Sequence, residues 1–189
     1  MMSQVIAFVF LCIVLAIAAV TDVRRGKVYN WLTYPAMGLG LVYWGVVGSA
    51  IDGWGGGGAA LGQSATGLAA GLIPFALIRY AGGLGGGDVK LMGAVGAISA
   101  SWACVLSTAV YALVLAAVMA VAVMIARGLV RRTLGRILGA ALQWGARMTA
   151  EFPADSPRIA FGLAIAVGGI VAASEQLLGL NTPWAWLNP

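Results

Sequence analysis

The sequence predicts an all-α, polytopic membrane protein. It reads as a single integral-membrane domain over residues 1–189, with six transmembrane helices and a basic amphipathic cytoplasmic segment between helices five and six. Three observations predict this. The 189 residues are 61% hydrophobic and only 9% charged, too little charge to cover a soluble domain of this length. The apolar residues gather into uncharged runs long enough to cross a bilayer, about 20 residues each. With six helices, all eleven basic residues fall on one side of the membrane, whereas a different count divides them.

Residues 5–20 are apolar, and Arg24, Arg25 and Lys27 follow them. A cleaved signal peptide carries its positive charge ahead of the apolar core, so this is a first transmembrane helix with its N-terminus outside. Residues 31–51 return, with Trp31 and Tyr34 at the inner border and Trp54 at the outer one, as interfacial aromatics sit. Residues 52–58 form a short outer loop. Residues 59–78 come back in. Gly58 with Gly62, and Gly67 with Gly71, have the spacing that lets helices pack closely. Residues 79–90 are a glycine-rich segment on the cytoplasmic side. The 36 residues between Lys90 and Arg127 carry no charge and divide into a short helix from 91 to about 100 and a long one over 102–126.

Residues 127–158 are the only sizeable polar stretch. Within it Val130, Leu134, Ile137, Leu138, Ala141 and Met148 keep helical spacing, with Arg132, Arg136, Gln143 and Arg147 near another face. That pattern predicts a basic amphipathic helix on the anionic leaflet of the membrane. Residues 151–157, with two prolines, end it. Residues 159–178 are the last span and 181–189 an outer tail, which places the C-terminus outside.

The chain contains no histidine, which excludes His-based triads and HExxH zinc sites. Cys12 and Cys104 lie in apolar runs without a CxxC partner, so they read as packing residues. No metal or other cofactor is expected. The net charge of +5 is spread along membrane borders, and nucleic acid is not an expected partner.

The stretch 82–90 holds five glycines and then Asp88, and the six-helix topology brings Asp88 to the same membrane depth as Asp22. An ionisable group at a membrane border next to irregular backbone is a candidate functional group. Two neighbouring carboxylates do not both ionise readily, so one keeps a proton at neutral pH. The ionised acid can then take a proton from water while the neutral one polarises a carbonyl, which is peptide hydrolysis without His, Cys, Ser or metal. The glycines would admit a substrate backbone close to Asp88. Lys90 reads as a positive-inside anchor. Asp52 and Glu175 lie on the outer half, and the polar loop accounts for Glu151 and Asp155.

Gly85-Gly-Gly87-Asp88-Val-Lys90-Leu91 resembles the GxGDxKL motif of the type IV prepilin peptidases, a branch of the GxGD intramembrane aspartyl proteases. Asp22-Val-Arg24-Arg-Gly-Lys-Val28-Tyr29-Asn30 resembles their first motif, D-x-R-x-x-x-I-P-N, with Val28 for the isoleucine and Tyr29 for the proline. The resemblance covers nearly the whole chain. It implies that Asp22 and Asp88 are the catalytic aspartates, supported by Arg24, Asn30, Gly85, Gly87 and Lys90. It also implies cleavage of a short basic leader from a prepilin or pseudopilin, on the cytoplasmic side of a bacterial inner membrane. The long members carry an extra N-terminal region with paired cysteines and methylate the new N-terminus; neither is expected here. The chain looks like the short form serving Flp-type (tight adherence) pili, or like an archaeal preflagellin peptidase. A proton- or ion-coupled transporter using the same acids, and a non-catalytic scaffold, are the alternatives from other classes.

Overall fold

The computed structural model describes residues 2–128 and 160–180, and no strand occurs among the described residues. Five helices follow in order: α1 (Met2–Arg25), α2 (Asn30–Tyr80), α3 (Gly86–Ser99), α4 (Trp102–Ala126) and α5 (Phe161–Leu178). The chain separates into two compact units, residues 1–115 with 160–189, and residues 116–159. All of the packing below lies in the first unit. The described part of the second is the end of α4 and the turn at Arg127 and Gly128. The basic segment expected over 127–158 and the tail expected over 181–189 fall almost entirely outside the described residues.

Among the described residues, four helices, α1, α2, α4 and α5, are long and apolar enough to cross a membrane. This measure does not reach the expected six, for reasons that lie in α2 and α3.

As one straight rod, the 51 residues of α2 would run about 76 Å, more than twice the hydrocarbon core of about 30 Å. The helix instead breaks at Asp52 (φ −122°, ψ 19°) and Gly53 (φ 68°, ψ −160°), the second a backbone that only glycine adopts at little cost. Beyond the break the chain doubles back. A Cβ on Gly45 would lie 3.9 Å from the Leu61 side chain, and Gly48 backs directly onto Gly56 and Ala60. Residues 45 and 61 of a straight helix would be about 24 Å apart. The outer loop expected over 52–58 is therefore only two residues long. Its later glycines belong to the second arm of the helix, and two of them serve packing: Gly56 sits against Gly48 and Asp52, and Gly57 against Ser49.

α3 has 14 residues, about 21 Å, and is too short for a full span. Val89 and every residue from 91 to 99 are buried, against both arms of α2 and against α1 and α5. Close backbone approach makes room for it. Gly67 meets Gly96, Gly71 meets Met92, and a Cβ on Gly40 would lie 2.8 Å from the Ala97 backbone. Gly58 and Gly62, read above as a second packing pair, face open space instead.

A helix that stops inside protein leaves its last carbonyls without partners. Here side chains supply them. Ser64 Oγ donates to the Ala97 carbonyl at 2.6 Å, Trp44 Nε1 to Ile98 at 2.8 Å, and Gln176 Nε2 to Ser99 at 3.2 Å. Ala100, in the left-handed region at φ 50°, then turns the chain into α4. The uncharged interval thus divides where the sequence predicts. α5 closes the unit, with Gly168 against the α4 backbone at Thr108 and Ala112, and Gly169 against Leu15 of α1.

Candidate active site

The end of α1, the start of α2 and the start of α3 form an open cleft of about 310 Å³, lined by residues 26–30 and 85–87 together with Asp22 and Asp88. α1 ends because Gly26, at φ 62°, takes the left-handed conformation, its N–H bonding the Asp22 carbonyl at 2.7 Å. Tyr29 leads into α2 with φ −85° and ψ 142°, the extended backbone that a proline there would also favour. The backbone at Tyr29 is thus one that a proline would also accept.

The glycines before Asp88 are explained by what surrounds them. A Cβ on Gly85 would lie 2.7 Å from Asp88 Oδ2, and one on Gly87 would lie 2.9 Å from the Val28 side chain. The second contact brings the two motif segments together. Gly86 lies beneath the Arg79 guanidinium.

Asp22 is buried, 8% exposed, and its Oδ2 accepts the Leu163 N–H of α5 at 3.3 Å. Gly162 lies against the same carboxylate; a Cβ there would come within 2.8 Å of Oδ2. Asp88 is half-buried in the first turn of α3, outside the four helices long enough to cross a membrane. Burial, and after it the negative charge of Asp22, pushes its carboxyl up from 3.8 to about 6, opposed by the Gly85 N–H that donates to it.

Lys90 does more than anchor a border. Its Nζ donates to Asn30 Oδ1 at 2.7 Å and lies 4.7 Å from the centre of the Tyr34 ring. Arg25 Nη1 donates to the Tyr29 hydroxyl at 3.0 Å. Asp22, Asp88, Asn30, Gly85 and Gly87 thus line one cleft, and Lys90 braces it from the side. Arg24 does not join them: it is exposed, in a groove with Val20, Val23 and Leu163. Gly162 and Leu163 are the site residues that sequence reasoning missed; a backbone N–H 141 residues from Asp22 leaves no signal in residue types. Among the described residues, no three His, Cys, Asp or Glu side chains come together to hold a metal.

The sequence model of the type IV leader peptidase family matches residues 9–125, more than half of the chain. The chain belongs to this family. As a type IV leader peptidase family member it is a peptidase, and its long apolar helices make it a membrane protein. Both acid-bearing motifs and the whole of α3 fall inside the matched stretch, whereas α5, which touches Asp22, lies beyond it. No curated protein and no solved structure matches the chain.

Proposed function

We propose that this chain is a membrane aspartyl endopeptidase that removes the leader from a prepilin of the Flp type, with Asp22 and Asp88 activating water. The observation that carries this reading is the shared cleft: two acids 66 residues apart line one open, solvent-reachable space. Family membership supplies the peptidase class.

In the reaction, the ionised carboxylate takes a proton from water as the oxygen adds to the scissile carbonyl carbon. The neutral carboxyl gives its proton to the carbonyl oxygen, forming a tetrahedral diol. Collapse breaks the C–N bond: the leaving nitrogen takes the proton that the base received, and a diol hydroxyl returns a proton to the other carboxylate as the new carboxylic acid forms. Asp88, pushed up to about 6, keeps its proton more readily than an ordinary carboxyl. Gly85 to Gly87 line the same cleft, which puts their peptide groups beside Asp88 for a substrate backbone to meet.

The cleft faces the cytoplasm in this proposal, because Arg24, Arg25, Lys27, Arg79 and Lys90 all belong to the helix ends and loops around it. The reversal at Asp52–Gly53 supports counting α2 as two passes, and α3, enclosed by its neighbours, completes six. The setting is a bacterial inner membrane, with both termini outside and residues 127–158 on anionic lipid.

Incubation of the purified chain with a leader-bearing prepilin tests the reading. Cleavage just before the apolar helix, lost in Asp22→Asn and in Asp88→Asn, is the expected result. Absence of cleavage by a folded parent, or its persistence in either variant, sinks the proposal.

A further inference from the structure

Two side chains of opposite ends of the sequence do not meet at Asp22; a side chain and a backbone do. The Leu163 N–H lies in the first turn of α5, where helix donors lack partners four residues back, and it is shared between the Ala160 carbonyl at 3.2 Å and Asp22 Oδ2 at 3.3 Å. Gly162 is the neighbouring residue, and its missing side chain leaves the space that the carboxylate fills, since a Cβ would stand 2.8 Å from Oδ2 and 2.9 Å from Cγ. The contact is therefore built from both sides. It also comes from a helix outside the stretch that matches the family.

We propose that the first turn of α5, through the Leu163 N–H and the bare backbone of Gly162, is the positioning element that fixes the Asp22 carboxyl in the cleft it shares with Asp88. This rests on the reading of Asp22 and Asp88 as the reacting acids. Among the described residues, the groups that share the cleft with Asp22 are Asp88 from α3, and Lys27 and Tyr29 from the loop. Arg24 and Arg25, on α1 itself, are exposed. Nothing titratable faces it from α5, whose contact residues are Gly162 and Leu163. Asp88 has a single backbone donor, from Gly85, set against burial and the charge of its partner. The two acids thus differ in what holds them, Asp22 being anchored by α5 and Asp88 by the turn that precedes it.

The test uses the full chain in detergent with a prepilin reporter, a basic leader joined to an apolar helix. Gly162→Ala should lower kcat with little change in KM. A loss that appears in KM or in thermal stability alone means that α5 is only structural, and an unchanged rate means that the contact is idle; either overturns the proposal. A second measurement needs no cleavage. Amide hydrogen exchange in detergent should quicken at Leu163 in Asp22→Ala, because the side chain that accepts its N–H is gone; unchanged exchange there refutes the contact. Should Gly162→Ala fail to insert, Leu163→Pro removes the N–H in a first helical turn, where proline is tolerated, and the same fall in kcat at constant KM is expected; an unchanged kcat refutes the inference. If Asp22→Asn alone cleaves like the parent, the reading of the acid pair has failed, while the exchange comparison still reports on the α5 contact by itself.

Discussion

Lys90 Nζ donates to Asn30 Oδ1 at 2.7 Å, a bond across 60 residues that ties the start of α3 to the start of α2. Each partner comes from a different motif, so the bond fixes the spacing of the loops that carry Asp22 and Asp88. The Tyr34 ring under the same ammonium adds a second hold from α2. Asn30→Ala and Lys90→Met should each slow cleavage about fivefold, the value of one exposed charge-assisted hydrogen bond of roughly 1 kcal/mol. The double variant should be little worse than the poorer single one. Fully multiplicative losses in a double-mutant cycle would show that the two side chains act separately.

Asp22→Asn and Asp88→Asn should each reduce cleavage below about one hundredth of the parent rate, since general acid and base contributions run at about 10²-fold or more. Asp52→Asn should be neutral, because Asp52 is exposed at the turn between the arms of α2. Immunoblots of membrane fractions establish that all three variants are inserted, and a comparable rate in all of them contradicts the assignment.

The pH dependence has a defined sign. Asp88 is pushed up to about 6 in the folded chain from an ordinary 3.8, so the folded state binds its proton more tightly than the unfolded state does. Its contribution to stability is therefore greatest below about 4 and declines as pH rises through 6. Thermal unfolding in detergent should show this slope in the parent and lose it in Asp88→Asn. For catalysis the profile should be bell-shaped, with the alkaline limb of kcat/KM in the free enzyme near 6. Asp22→Asn removes the lesser cause of the rise and keeps the greater, so Asp88 should still titrate above 3.8 when followed by infrared spectroscopy.

Orientation is tested by labelling. In a Cys12→Ser, Cys104→Ala background, Gly55→Cys, where a side chain meets nothing within 4 Å, should react with an impermeant thiol reagent outside sealed cells. Ala81→Cys, exposed beside the cleft loop, should react only after permeabilisation. The reverse pattern would turn the molecule over and place the cleft outside.

Much of this arrangement is legible in the chain before any coordinates. The meeting of Asp22 and Asp88 in one cleft is anticipated by the charge-free runs and the clustering of basic residues, which the bilayer imposes on the whole chain. The division near Ala100 follows from the length of an uncharged interval for the same reason. What escapes is contact between a side chain and a backbone. The caps from Trp44, Ser64 and Gln176 onto α3 engage carbonyls that every residue possesses, so no residue type marks their acceptors. Leu163 is invisible on the same ground. Lys90 is a different case: the positive-inside rule accounts for any lysine at a border, and that sufficient explanation hides its specific partner. The glycines at 55–58 mislead oppositely, since a run read as a loop is helix in a tightly packed hairpin.

The enclosure of α3 separates the reaction centre from the physical state of the lipid. Hydrophobic mismatch acts on helices that touch acyl chains, by tilting them or by deforming the bilayer around them. α3 is buried from Val89 to Ser99, apart from Lys90, and its far end is pinned by donors from three other helical segments. A thicker or thinner bilayer therefore strains the outer helices, while the depth of Asp88 is measured from protein and stays constant. Under the proposed function, the height at which a substrate is cut would then not follow the acyl composition of the membrane.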